Sequence, residues 1–172
     1  MKYILLLKNW QLLITMFLPS ILVDMFSTDI HDKWQVISSV WGIMTYLLWL
    51  YIVGKTFNTS FNKTWLVFKA CFFYNVFCLL IFSGYDTENT ANTIWHILCI
   101  LLVFFSSFYM IYFATKSLVS YRESNGDHDV SFSRLFLSFW FFPIGVWLLQ
   151  PSLNLYMHDR YNINAVDPKG GG

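Results

Sequence analysis

Residues 131–154 read SFSRLFLSFWFFPIGVWLLQPSLN, a stretch that is almost wholly apolar and rich in aromatic residues from Phe132 onward. Pro143 and Gly145 interrupt it near the middle, and Gln150 and Pro151 interrupt it near the end. A soluble domain of this size does not place so many Phe, Trp and Leu side chains in one run. The stretch therefore indicates a lipid environment, where it either crosses the bilayer with a kink or enters and returns.

The composition of the whole chain agrees with a membrane environment. Of the 172 residues, 56% are hydrophobic, 21% aromatic and only 12% charged, whereas a typical soluble domain has about 25% charged residues. So little charge leaves too few polar side chains to cover a soluble globule. The formal net charge of +1 offers no basic surface for nucleic acid, and the length allows one membrane domain.

Several apolar runs near the length of a bilayer span predict an all-α fold. We expect an integral membrane helical bundle of four firm transmembrane helices plus a kinked or re-entrant fifth. Residues 1–157 form this single domain, and residues 158–172 form a polar tail. Residues 116–134 are the longest predicted loop, with a turn at Asn125-Gly126. The predicted spans are residues 10–26, 34–53, 65–82, 93–115 and 135–150, the last extending to 157 if it crosses completely.

Length and polarity leave the topology of the last segment open. Leu135–Leu149 measures about 22 Å as a helix, against a hydrocarbon core of about 30 Å. Extending the helix gives a full span but places Gln150 and Pro151 at depth. A re-entrant segment needs cover for its irregular backbone, which a small protein can barely supply. We therefore favour a fifth span that is kinked at Pro143 and Gly145.

Pro19 lies inside the first predicted span. A proline has no backbone N–H, so it frees the carbonyl one turn earlier and kinks the helix. Lipid tolerates such a kink if neighbouring helices cover the freed group. At the far end of the second span, Trp49 and Tyr51 are expected at a headgroup layer, where amphipathic rings are common.

Basic residues near the spans favour a cytoplasmic N-terminus. With five crossing spans, eight Lys and Arg residues lie on the cytoplasmic side and three outside; if the last segment returns, the distribution becomes ten to one. The eight are Lys2, Lys8, Lys55, Lys63, Lys69, Lys116, Arg122 and Arg134, and the three are Lys33, Arg160 and Lys169. Charge therefore fixes the first four spans and mildly favours a cytoplasmic tail.

Asn75 is the one strongly polar side chain near the middle of a well-defined span. Cys71, Asn75 and Cys78 follow helical spacing and share one face of the third span. A small and polar stripe in lipid indicates a helix–helix contact. Asn75 either holds the bundle together through an interhelical hydrogen bond, which we favour, or lines a path for a substrate or ion. The cysteines are interpreted as small packing residues.

Asp24 and His96 lie at span ends on the same predicted outer side. Such an acid–imidazole pair could relay protons or bind a metal, although a histidine at this depth is more often an interfacial residue. The sequence has no metal-protease, phosphate-loop or hydrolase motif. We predict no catalytic residue, no metal site and no cofactor.

The run FWFFPIGVWLLQPSLN, from Phe139 to Asn154, resembles a C-terminal motif of small uncharacterised multi-pass bacterial membrane proteins. Their N-terminal Lys-x-Trp-Gln-Leu segment is similar to the one that begins here at Lys8. In that group the residue after the Gln-Pro pair is often basic, whereas here it is Ser152. The resemblance implies a topology and a bacterial inner (plasma) membrane location, and it implies no activity.

The sequence favours a non-enzymatic protein that acts through homo- or hetero-assembly in the bilayer, as a channel-like or membrane-perturbing effector of the defence type. The expected partners are the lipid bilayer and a second copy or another membrane protein, with no nucleic acid. One alternative is a small transporter or channel with a path lined by Asn75. A second alternative is a membrane enzyme or metal site near Asp24 and His96.

Overall fold

The computed structural model describes residues 9–26, 31–58, 63–83, 93–127, 130–141 and 144–162. Within these ranges the regular structure consists of six helices and contains no strand, which confirms the all-α prediction. The helices are α1 (Asn9–Phe26), α2 (His31–Phe57), α3 (Lys63–Ser83), α4 (Thr93–Ser124), α5 (Phe132–Trp140) and α6 (Ile144–Asn162).

Three of the described helices are long and apolar enough to cross a membrane, rather than the four firm spans that we expected. They contribute Val36–Phe57 of α2, Lys63–Ile81 of α3 and Ile97–Ser124 of α4. The first predicted span forms α1, but its apolar part is the shorter stretch Trp10–Val23. Composition and helix length together therefore support a multi-pass membrane protein.

Helix α2 lies at the centre of the molecule, in contact with α1, α3 and α4. Its second half, Leu47–Phe57, supplies much of the buried core, with Trp49, Leu50 and Val53 almost fully covered. Stacked aromatic rings join this half to α3, where Tyr51 lies against Phe68 with ring centroids 5.8 Å apart. The core is thus concentrated toward one end of the bundle.

Helix α4 continues to Ser124, so the predicted loop over residues 116–134 is largely helical and the connection is much shorter. The helix ends at the predicted Asn125-Gly126 turn, where Gly126 has a φ of 85°. The N–H of Asp127 bonds the carbonyl of Arg122 and that of Gly126 bonds Glu123, which is the Schellman arrangement of a helix C-terminus. The sequence placed the turn at Asn125-Gly126 correctly. The predicted loop, however, began at residue 116, whereas the helix ends only at Ser124.

Helix α5 runs antiparallel to α4 along its outer side. The Phe132 ring packs against Tyr112, and eight residues further on the Trp140 ring packs against Phe104. Both separations equal eight residues, or about 12 Å at the helical rise of 1.5 Å per residue. Helix α5 therefore runs beside α4 for about 12 Å and ends at Trp140. Its nine residues are too few for a membrane span.

Helix α6 returns toward the end of α4 from which α5 came. The Tyr156 ring lies 6.1 Å from Tyr121, and the Tyr156 hydroxyl lies 3.3 Å from Asp127. Helices α5 and α6 also contact each other, so they form a helical hairpin with both ends at the same end of α4. This is the geometry of the re-entrant alternative rather than of the kinked crossing helix that we favoured from the sequence.

Candidate functional site

The bend of the hairpin is its most constrained point. Gly145 is buried there, and a Cβ at this position would stand 1.3 Å from the carbonyl oxygen of Ser138. The Gly145 N–H bonds the Phe141 carbonyl at 2.9 Å, and the Phe141 N–H bonds Leu137 at 2.8 Å. Only a residue without a side chain lets α6 start so close to α5. Pro143, the predicted kink residue, lies outside the described part of the chain.

A tyrosine from α2 satisfies the carbonyl that the bend leaves free. Pro143 has no N–H, so the Phe139 carbonyl has no helical partner four residues further on. The Tyr46 hydroxyl donates to that oxygen at 2.7 Å. Phe139 is fully buried and its ring lies 5.4 Å from that of Trp49. The rest of the protein thus supplies the cover that a re-entrant backbone needs.

The same helix satisfies the second proline-freed carbonyl. Pro19 lies inside α1, where it deprives the Thr15 carbonyl of its N–H partner. The indole N–H of Trp41 donates to that oxygen at 3.0 Å. Gly42 lies beside this contact, and a Cβ there would be at an ordinary contact distance of 3.4 Å from the Met16 carbonyl oxygen. Helix α2 therefore carries a donor for the carbonyl freed by Pro19 and a donor for the carbonyl freed by Pro143.

Gln150 is a buried polar residue on the returning helix. Its side chain has no exposed surface, and its Oε1 accepts a hydrogen bond from the Trp49 indole at 3.1 Å. Its Nε2 donates to Asn154 at 3.3 Å. We had expected Trp49 at a headgroup layer, but it is only 1% exposed and holds α6 against α2. Pro151 follows within α6 and is exposed.

Asn75 lies between α3 and α4 and is 3% exposed. Its amide nitrogen donates to the Cys71 carbonyl at 2.8 Å and to the Ser106 hydroxyl at 2.7 Å. Its oxygen accepts from the Ser107 hydroxyl at 2.8 Å. Both amide hydrogens therefore have acceptors, and the side chain joins two helices. This is the interhelical arrangement that the spacing indicated, and it leaves Asn75 facing protein.

The remaining candidates do not assemble into a site in the described part of the chain. Cys78 is buried and Cys71 half-buried on the α3 face that meets α4, and both are free thiols. The side chains of Asp24 and His96 lie outside the described residues. Among the described residues no group of three or more His, Cys, Asp or Glu side chains could hold a metal ion.

A polar cluster connects the α6 end of the hairpin to the end of α4. The Arg122 guanidinium forms an ion pair with Asp127, with Nε 3.0 Å from Oδ2, and lies 5.5 Å over the Tyr156 ring. The Tyr156 hydroxyl donates to Asp127. Burial raises the pKa of this hydroxyl, against the opposite effect of Arg122. Tyr156 therefore remains a neutral donor at physiological pH and fastens α6 beside α4.

Sequence reasoning assigned no role to Trp41 and Tyr46, which lie inside the second predicted span. The prolines of the sequence could have indicated that such donors are needed. Each intramembrane proline frees one carbonyl, and each such carbonyl needs a donor from another helix. Aromatic residues with an N–H or O–H inside a span are candidates for that donor. The pairing itself joins residues 93 positions apart in one case, so spacing alone could not assign it.

No protein-family model, no curated protein and no solved structure matches this chain.

Proposed function

We propose that this chain is a non-enzymatic, multi-pass membrane protein that acts through homo- or hetero-assembly in the bilayer, as a channel-like or membrane-perturbing effector. The observation that carries the proposal is the extent of apolar surface around the bundle. On α3, Phe73 and Phe77 are 62% and 61% exposed, one turn apart on a single face. On α4, Phe105 is 64% exposed. Such a surface suits lipid and other transmembrane helices.

The use of the interior polar groups also supports a structural role. Asn75 joins α3 to α4, Gln150 joins α6 to α2, and Tyr46 serves the hairpin bend. In each case the polar group is committed to a contact inside the protein. The transporter alternative requires Asn75 to face a path, and its hydrogen bonds do not favour that role. The enzyme alternative concerns Asp24 and His96, whose side chains are not described.

We propose further that α1 crosses the membrane together with α2, α3 and α4. Only four residues separate α1 from α2, so the two helices run antiparallel, and the close approach of their backbones pairs Met16 with Gly42. Counting seven residues back from Met16 and seven forward from Gly42 places Asn9 beside Trp49. Helix α1 then accompanies the first part of α2 over its whole length of 18 residues, or about 27 Å.

Orientation follows from the basic residues of the described helices. Lys55, Lys116 and Arg122 lie toward the end of the bundle where the hairpin begins and ends. Basic residues near spans mark the cytoplasmic side. We therefore propose a cytoplasmic N-terminus and tail in the inner (plasma) membrane of a bacterium.

The test of assembly is the mass of the protein solubilised in mild detergent, measured by light scattering with the detergent contribution subtracted. A discrete homo-oligomer, or a stoichiometric partner that co-purifies from the native membrane, is the expected result. A clean monomer whose thermal unfolding shifts with a small-molecule substrate would contradict assembly and favour transport. An exposed-face variant, Phe77→Leu, should weaken the oligomer more than the buried-face variant Cys78→Ala if the α3 face forms the contact.

A further inference from the structure

The hairpin occupies only one half of the bundle's depth. Its bend lies level with Phe104 and Phe108 of α4, since the Trp140 ring contacts both of those rings. Its ends lie level with Tyr112 for Phe132 and with Tyr121 for Tyr156. The apolar part of α4 begins at Ile97 and continues beyond the bend toward the opposite end of the bundle. Nothing in the described chain extends α5 or α6 past the bend.

Charged side chains mark where the hydrocarbon ends on the hairpin side. Lys116 lies with its ammonium 5.8 Å from the Tyr112 ring, and Lys69 lies 5.2 Å from the Trp65 ring. Arg134 is exposed near the start of α5. Long basic side chains reach the headgroups from such positions. The bend is about 12 Å deeper than Phe132, which compares with about 15 Å for half of a 30 Å hydrocarbon core.

The outer surface of the hairpin is suited to acyl chains at that depth. Phe141 and Ile144, on either side of the bend, are 58% and 64% exposed, and Trp147 and Leu148 are similarly exposed on α6. The bend therefore presents large apolar side chains outward while its freed carbonyl is satisfied from within by Tyr46. A re-entrant backbone with this arrangement leaves little unsatisfied polarity toward lipid.

Below the bend, α4 has no cover from the hairpin. Over residues 97–105 every residue is exposed or half-buried, whereas Met110, Ala114 and Leu118, level with the hairpin, are almost fully buried. The cross-sectional area of the protein therefore differs between the two sides of the midplane. Over the described residues the hairpin-side leaflet contains α2–α4 plus α5 and α6, whereas the other leaflet contains α1–α4, because α1 begins beside Trp49, close to the level of the bend.

We propose that the α5–α6 hairpin is a wedge in a single leaflet, and that the protein prefers and stabilises curved membranes whose convex face is on the hairpin side. A helix is about 10 Å across, so the one additional helix adds about 80 Å² of cross-section to one leaflet. That leaflet must then be larger in area than the opposite one, which is the condition on the convex face of a curved bilayer. The inference rests on the membrane-embedded assembly proposed above and specifies how it perturbs the bilayer.

The test uses full-length protein reconstituted in both orientations into giant vesicles, from which narrow membrane tubes are pulled. A cysteine added to the tail after Asn162 and an impermeant thiol dye mark only the copies whose hairpin side faces outward. A cysteine placed in residues 84–92, in a second preparation, marks only the inverted copies. The native cysteines lie within α3 and α4, so the protein without an added cysteine is the control for background labelling.

Outward-hairpin copies are expected at higher density on the tube than on the vesicle, with a ratio that rises as the tube narrows. Inverted copies are expected at a ratio below one. Equal ratios for the two orientations, or the reverse order, would overturn the wedge. A monomeric mass in detergent would instead contradict assembly and leave these ratios unaffected.

Discussion

Asn75 is expected to contribute to the packing of α3 against α4. Replacing it with leucine removes three hydrogen bonds and leaves Ser106 and Ser107 without their amide partner. Interhelical hydrogen bonds in membranes are worth about 1 kcal/mol, so we expect Asn75→Leu to lower the thermal unfolding temperature in detergent. Cys78→Ala, on the same α3 face, should lower it less. Equal and negligible effects would mean that Asn75 faces lipid.

The contact between Trp41 and the Thr15 carbonyl gives a prediction that depends on Pro19. In the native background, Trp41→Phe removes the donor at 3.0 Å and should destabilise the α1–α2 pair by about 1 kcal/mol. In a Pro19→Ala background the new N–H at position 19 can bond the same carbonyl, so Trp41→Phe should have little effect. A double-mutant cycle on thermal or denaturant unfolding measures this coupling. Additive effects would show that the freed carbonyl is not the reason for the contact.

Tyr46 supports the hairpin from a position 93 residues away. Tyr46→Phe keeps the ring but leaves the Phe139 carbonyl without its donor, which we expect to cost about 1 to 3 kcal/mol. Tyr51→Phe is the matched control, since Tyr51 is on the same helix and contacts its neighbours through ring stacking. Hydrogen exchange of α5 amides should rise in the first variant and remain unchanged in the second. Equal exchange in both would contradict the support by Tyr46.

At the scale of elements, the α5–α6 hairpin depends on the absence of a side chain at Gly145. Gly145→Ala introduces a Cβ that would overlap the Ser138 carbonyl, so the two helices must separate, at an expected loss of at least about 2 kcal/mol. Gly42→Ala is the control, because its Cβ would meet only the Met16 carbonyl at ordinary contact distance. Limited proteolysis after Trp140 in detergent should increase in Gly145→Ala alone. Equal resistance of the two variants would contradict the tight bend.

Sequence patterns predicted the elements that local periodicity determines. The third span and the shared face of Cys71, Asn75 and Cys78 follow from helical spacing within about three turns, and both agree with the structure. The return of α6 did not follow, because length left both alternatives open, charge favoured the return only mildly, and we expected so small a protein to supply too little cover for a re-entrant backbone. What decides it is a set of contacts between distant residues: Tyr46 with Phe139, and Tyr156 with Asp127. No local pattern encodes such pairings.

The boundaries of α4 show the same limit. Lys116 suggested the end of a span, yet the helix continues to Ser124, since Tyr121 packs against Phe57 and Tyr156. Charge marks the end of the hydrocarbon and not the end of the helix. A Schellman turn at Gly126 ends the helix, and this signal was readable in the sequence.

At the scale of the whole molecule, we expect the hairpin to determine the side of the membrane on which the tail emerges. A single cysteine at Tyr161, which follows α6's contact with the end of α4, should react with an impermeant thiol reagent only after the cells are permeabilised. The expectation combines the return of α6 with a cytoplasmic orientation of Arg122. A cysteine in residues 84–92 is the control and should react in intact cells. Labelling of Tyr161→Cys in intact cells would contradict the return or the orientation.

The position of α2 also determines the order in which the protein can be completed during its synthesis. The N-terminal parts of a chain leave the ribosome first, so Trp41, Tyr46 and Trp49 are already inserted when the residues of α5 and α6 emerge. The acceptors that those three aromatic residues serve are at Thr15, Phe139 and Gln150. We therefore expect α5 and α6 to dock on donors that precede them in the chain, so that the Phe139 carbonyl and the Gln150 side chain gain their partners as the segment enters lipid.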